Sequence, residues 1–140
     1  MMRSVLFLCL TLFTSAVPNA FADCKCPEKP SLNQAVEDAS IVFLGRVTSI
    51  KNSVMREGKM EIEFAAFNRF KTEFEETSSG RQLLIYTPDG PQNCGVEFLL
   101  EQDYLVFGKG NPARYEVDAC SRTGLVELVK EDIEALGKKK

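Results

Sequence analysis

The spacing of hydrophobic positions changes period along this chain. Leu32, Ala35, Val36 and Ala39 recur at helical spacing, the 3.6-residue repeat of one apolar helix face. Ser31 precedes them with an N-cap hydroxyl, and Gln34, three residues on, completes the pattern of a capping box. The run IVFLGRVTSI, residues 41–50, is β-branched and apolar and predicts a strand. Gly45 inside it marks a bend or bulge. Lys51 to Gly58 is polar and reads as a hairpin loop. Met60, Ile62 and Phe64 then alternate with Glu61 and Glu63, which predicts a strand with one dry and one wet face. Ala65 and Ala66 interrupt the alternation, and Phe67 and Phe70 resume it in a shifted phase. That is the pattern of a bulge in a curved strand.

Beyond a charged loop from Glu73 to Gly80, Leu83 to Tyr86 predicts a third strand. Pro88-Asp89-Gly90 is a turn in which Pro fixes φ and Gly supplies a positive φ. Val96 to Leu99 reads as a short strand or hairpin arm, Tyr104 to Phe107 as a fourth main strand and Tyr115 to Ala119 as a fifth. Leu125, Leu128, Val129, Ile133 and Leu136 return to helical spacing, with Gly137 as the stop. The fold class is therefore mainly β. The expected architecture is a five-stranded, OB-fold-like barrel, closed or partly closed, with a short N-terminal helix and a C-terminal helix. No repeat or linker divides it.

The first 22 residues are read apart from this domain. Arg3 is followed by a short apolar run from Val5 to Phe13, and Ala20-Phe21-Ala22 has the form of a signal-peptide cleavage site. The run is shorter than the roughly 20 residues a membrane span needs. The expected product is a single exported domain, residues 23–140, periplasmic or extracellular and monomeric. Losing Arg3 makes the formal net charge one unit more negative than −3. A mildly acidic, exported domain does not suit a nucleic acid partner.

The same cleavage removes Cys9 and leaves Cys24, Cys26, Cys94 and Cys120. An even number in an exported domain predicts two disulfides, with three possible connectivities. Pairing Cys24 with Cys26 closes a very tight ring. Either of the other two ties the N-terminal segment to distant points through loops of about 70 to 95 residues, each contributing on the order of 4 kcal/mol. Spacing does not separate those two.

Chemistry is sparse. The chain has no histidine, so it lacks the commonest general base and metal ligand, and no Ser-His-Asp or Cys-His set can form. Cys94 and Cys120 stand alone, unlike the closely paired ligands of structural zinc sites. No catalytic residue, metal or cofactor is expected. A thiol-disulfide exchanger at Cys24-Lys25-Cys26 is the one enzymatic alternative.

The order of motifs carries more. CKCP follows the export signal; then come SIVFLGRVTSI, NRFK, IYTPDGPQNCG, DYLVFGKG and EVDACSRT. From Cys24 to about Arg122 this resembles the N-terminal domain of the tissue inhibitors of metalloproteinases, within the wider netrin-like group. The resemblance implies an OB-type barrel, and it implies disulfides Cys24–Cys94 and Cys26–Cys120. It also implies a protein-binding ridge made of Cys24, Lys25, Cys26, Pro27, Gln92, Asn93 and Cys94. The chain departs from the animal inhibitors in having no cysteine between Cys26 and Cys94 and no second cysteine-rich domain.

In that family the mature chain starts at the first cysteine, whose free amine and carbonyl oxygen bind the catalytic zinc of the protease. Zinc takes a neutral amine, whereas an amide nitrogen has its lone pair delocalised. Here cleavage after Ala22 leaves Asp23 ahead of Cys24. Lys25, the residue that would enter an apolar specificity pocket, carries an ammonium that loses hydration there. The expected function is therefore a non-enzymatic, protein-binding netrin-like module. Inhibition of a zinc metalloprotease partner is the alternative, open only if Cys24 is the mature N-terminus.

Overall fold

The computed structural model describes residues 24–74 and 82–139. The expected leader, its cleavage site, Asp23, most of the Glu73–Gly80 loop and Lys140 lie outside the described residues.

The elements run α1 (Leu32–Asp38), β1 (Ile41–Asn52), β2 (Lys59–Thr72), β3 (Gln82–Pro88), β4 (Asp103–Asn111), β5 (Arg114–Glu116), β6 (Gly124–Leu125) and α2 (Lys130–Gly137). Strands pair in the order β1-β2-β3-β5-β4, and β1 also pairs with β4, so five strands close into a barrel. Only β3 and β5 run parallel. The two residues of β6 add on beside Tyr104 and Leu105 of β4. This is the mainly β barrel with one helix near each end of the domain that the sequence predicts.

Burial explains the patterns. Ile41, Phe43 and Val47 of β1 point into the barrel with Ile62 and Phe64 of β2, Ile85 of β3, Val106 of β4 and Tyr115 of β5. Val42 and Leu44 point the other way, with Leu105 and Phe107, against Ala35 of α1, Ala39 at its C-cap and Leu136 of α2. The IVFL run is continuous because both of its faces are dry. The first half of β2 carries Glu61 and Glu63 on its outer face, and the alternation there stays clean.

The curvature comes from irregular pairing. In the β1–β2 ladder, Leu44 faces Asn68 and Gly45 faces Ala66, which leaves Phe67 as an extra residue. Phe70 is extra in the same way between Arg69 and Lys71, and Thr48 is extra on β1. Each bulge bends the ladder and turns the following side chain. Phe67 follows buried Ala66 and points outward, 60% exposed, and the bulge keeps Asn68 on that same outer side opposite Leu44.

Three local expectations change. Val96 to Leu99 forms no strand. It crosses the barrel opening, where Phe98 seats edge-on against Phe64 and Tyr104 at 5.3 and 4.8 Å between ring centroids. The fifth strand stops at Glu116; Val117 still donates to the Tyr86 carbonyl at 2.9 Å and stays buried, and the residues after it turn to meet the cysteine-bearing segments. Leu125 belongs to β6, and a 3-10 turn at Val126–Leu128 precedes α2, so the helical spacing read from Leu125 becomes a true α-helix only at Lys130. At α1, Ser31 Oγ accepts from the Gln34 backbone N–H at 3.2 Å, the first half of the expected capping box.

Candidate binding ridge

Three segments without regular strand structure meet beside the barrel: residues 24–27, 89–95 and 117–121. Two disulfides join them. Cys24 pairs with Cys94 and Cys26 with Cys120, with Cα atoms 5.3 and 5.2 Å apart. Of the two connectivities that spacing leaves open, the structure has this one.

Each segment is shaped by its own sequence. The Cys26 N–H donates to the Cys24 carbonyl at 2.8 Å, closing a three-residue turn with Lys25 at its centre. Lys25, Cys26 and Pro27 are exposed. The second segment begins where Pro88 ends β3. Gly90 has φ of 80° and Cys94 φ of 63°, bracketing a 3-10 turn over Pro91–Asn93. The Gly90 carbonyl accepts from both Asn93 and Gly95 at 3.1 and 3.0 Å. Asn93 Nδ2 donates to the Asp89 carbonyl at 2.6 Å. Gly95 tolerates no side chain, because a Cβ would lie 1.9 Å from the Pro88 carbonyl oxygen. The third segment is tied by the Ala119 N–H, which donates to the Cys94 carbonyl at 2.8 Å. Asp118 Oδ1 caps the turn beyond by accepting from the Cys120 N–H at 2.9 Å.

The result is one exposed edge. Lys25, Pro27, Gln92 and Asn93 are solvent-facing, and Cys24 and Cys94 are half-buried beneath them. The sequence-named residues Cys24, Lys25, Cys26, Pro27, Gln92, Asn93 and Cys94 therefore lie on two neighbouring segments joined by the Cys24–Cys94 bridge. Sequence reasoning did not include the β1–β2 hairpin. Its Gly58 carbonyl accepts from the Asp89 N–H at 2.9 Å, which sets the loop next to the ridge. Val54 and Met55 in this loop are 97% and 88% exposed. Two apolar residues inside a polar loop were the available signal.

The chemistry of the ridge is that of a surface. All four described cysteines are in disulfides. Among the described residues no group of three or more His, Cys, Asp or Glu is placed to hold a metal ion. Among the described residues no helix is long and apolar enough to cross a membrane. The marked pKa shifts lie elsewhere. Hydrogen bonding and charge from Arg46 hold the Asp103 carboxyl below its usual value against the opposing effect of burial. Burial pushes the Glu116 carboxyl up, and Arg114 and Lys59 together more than reverse it.

No protein-family model matches this chain, and no curated protein matches it.

Proposed function

We propose that the chain is an exported, disulfide-stapled, non-enzymatic netrin-like module that binds another protein through the ridge of Cys24, Lys25, Cys26, Pro27, Gln92, Asn93 and Cys94. The observation that carries this reading is the amount of constraint spent on exposed residues. Two long-range disulfides, a glycine with no room for a Cβ and a positive-φ cysteine fix segments that contribute little to the barrel core. A surface held rigid before contact loses little entropy on binding. The cysteines of CKC bridge to separate distant partners rather than to each other, which supports a structural role for both.

Inhibition of a zinc metalloprotease is the second reading, favoured by the exposure of the Cys24–Pro27 segment beside Gln92 and Asn93. It requires a free amine at Cys24. N-terminal sequencing of the exported protein, followed by an inhibition assay against zinc endopeptidases, tests it. A chain starting at Asp23 and no inhibition at micromolar concentration removes this reading.

The module reading is tested by site-specific photocrosslinking in the native envelope or secreted fraction. Probes at Lys25 and Gln92 are expected to give the same discrete adduct, and a probe at Leu128 none. Absence of adducts at both ridge positions, or equal adducts at all three, overturns it.

A further inference from the structure

Beside the ridge, α1 and the N-terminal segment meet β4 and the end of β5. They leave a cleft of about 470 Å³, within the range that takes a small organic ligand. Its floor is apolar, formed by Ala35 of α1, Ala39 just after it, Phe107 of β4 and Val117 just after β5. Pro27 and Pro30 contribute a further apolar wall.

The charges around it do not cancel. Arg122 lines the cleft, but its guanidinium is held by Asp132 and by the Pro30 carbonyl. Glu116 is held by Arg114 at 2.8 Å and Lys59 at 3.6 Å. Asp118 spends Oδ1 on the Cys120 N–H and keeps its second oxygen. Glu28, Asp38 and Lys109 also line the cleft and have no ion-pair partner among the described residues. Three carboxylates with capacity to spare thus face one ammonium, over an apolar floor.

We infer that this cleft binds an organic cation with an apolar body, an amine or guanidine, either free or as the basic side chain of a peptide. The apolar body lies over Phe107, Val117 and the prolines. The cation sits toward Asp38 and Asp118, and the acidic surroundings turn away an anion of the same shape. This inference does not rest on the ridge reading: the two surfaces share Pro27, but the cleft's charged groups and apolar floor lie outside the ridge, and its ligand is different.

An NMR titration of the intact, disulfide-bonded protein tests it, with three probes: benzamidine, acetyl-Phe-Arg-amide and benzenesulfonate. The two cations are expected to give saturable shifts at the amides of Ala35, Ala39, Phe107 and Val117, weakening as salt rises. Benzenesulfonate is expected to give none. Tighter binding of the peptide assigns the cation to a partner's side chain, and tighter binding of benzamidine assigns it to a free ligand. Asp38→Asn and Asp118→Asn are each expected to weaken binding by about threefold, the scale of one partly exposed charge pair. The asparagine at 118 keeps an oxygen for the Cys120 N–H, and an unchanged melting temperature checks the fold. No cation binding at millimolar concentration, equal binding of benzenesulfonate, or unchanged affinity in both folded variants overturns the inference.

Discussion

Arg122 grips Asp132 with both arms of its guanidinium. Nη2 donates to Oδ1 at 2.7 Å and Nε to Oδ2 at 3.0 Å, while Nη1 donates to the Pro30 carbonyl at 2.9 Å. Both side chains are largely shielded, 20% and 14% exposed. One residue thus ties α2 to the segment that leads into α1. Asp132 lies in the first turn of α2, a helix with no side-chain N-cap, where a negative charge also suits the helix dipole. Arg122→Ala is expected to lower unfolding free energy by about 1–3 kcal/mol in urea denaturation. Arg122→Lys is expected to recover little, since an ammonium cannot bond both oxygens and the carbonyl in this fork. A double-mutant cycle with Asp132→Asn isolates the coupling, and a value near zero would contradict the geometry.

Replacing Cys26 and Cys120 together by serine is expected to cost about 4 kcal/mol, from the chain entropy released in the unfolded state. That is a large part of the stability of an ordinary domain. Reductant is expected to lower the melting temperature in the same direction. A melt indifferent to both changes would show that the bridge does not form in the folded protein.

The acid limb of stability follows from Asp103 and Glu116. Their folded pKa values are depressed, so the unfolded chain binds protons first as pH falls. Their contribution is complete above the unfolded carboxylate values near 4 and is lost as pH falls through the folded ones. With no histidine in the chain, denaturant midpoints are expected to be flat between about pH 5 and 8 and to fall below about pH 4. Asp103→Asn is expected to shallow that fall slightly, as suits a partly exposed pair. A steep step near pH 6 would contradict this account.

Two phenylalanines three residues apart on β2 fall on opposite faces of the strand. Phe64 is fully buried, and Phe67 is 60% exposed. Phe64→Ala is expected to cost about 3–5 kcal/mol, and Phe67→Ala to stay within about 0.5 kcal/mol. Equal losses at the two positions would mean that Phe67 is packed as tightly as Phe64, against its exposure here.

Tyr115 is fully buried, and its hydroxyl has no hydrogen-bond partner among the described residues. Burial pushes its pKa up. Tyr115→Phe removes an unsatisfied polar atom and keeps the ring, so stability is expected to rise by about 1 kcal/mol. A loss of that size would reveal a partner for the hydroxyl.

The barrel was readable because each strand's surroundings left a mark on its period. The clean alternation of Met60 to Phe64 records one wet face, and the unbroken IVFL run records two dry ones. The phase slip at Ala65 and Ala66 located the bulge to within two residues. What stayed hidden depends on contacts distant in sequence. Phe98 looks like a strand residue until the barrel opening it fills is known. Leu125 fits a helical period by coincidence, because pairing with Tyr104 holds it in a strand. At the ridge, the residue types were visible, but the nearness of the hairpin rests on the β2–β3 ladder, which pairs Lys59 with Pro88 and ends in the backbone bond between Asp89 and Gly58. The charge balance of the cleft was equally hidden, since it depends on which partners Arg122 and Glu116 find in space.

The Cys26–Cys120 bridge spans 94 positions, and this sets an order of events during synthesis. Cys26 is made early and its partner late, after every strand of the closed barrel. The thiol at Cys26 must therefore stay unreacted, or be released again by thiol-disulfide exchange, until Cys120 has been made. Its nearest neighbour, Cys24, offers only a tight ring, and Cys94 is the earlier temptation. Correct pairing thus favours a barrel that assembles before oxidation is complete, with the last covalent link closing on a fold already in place.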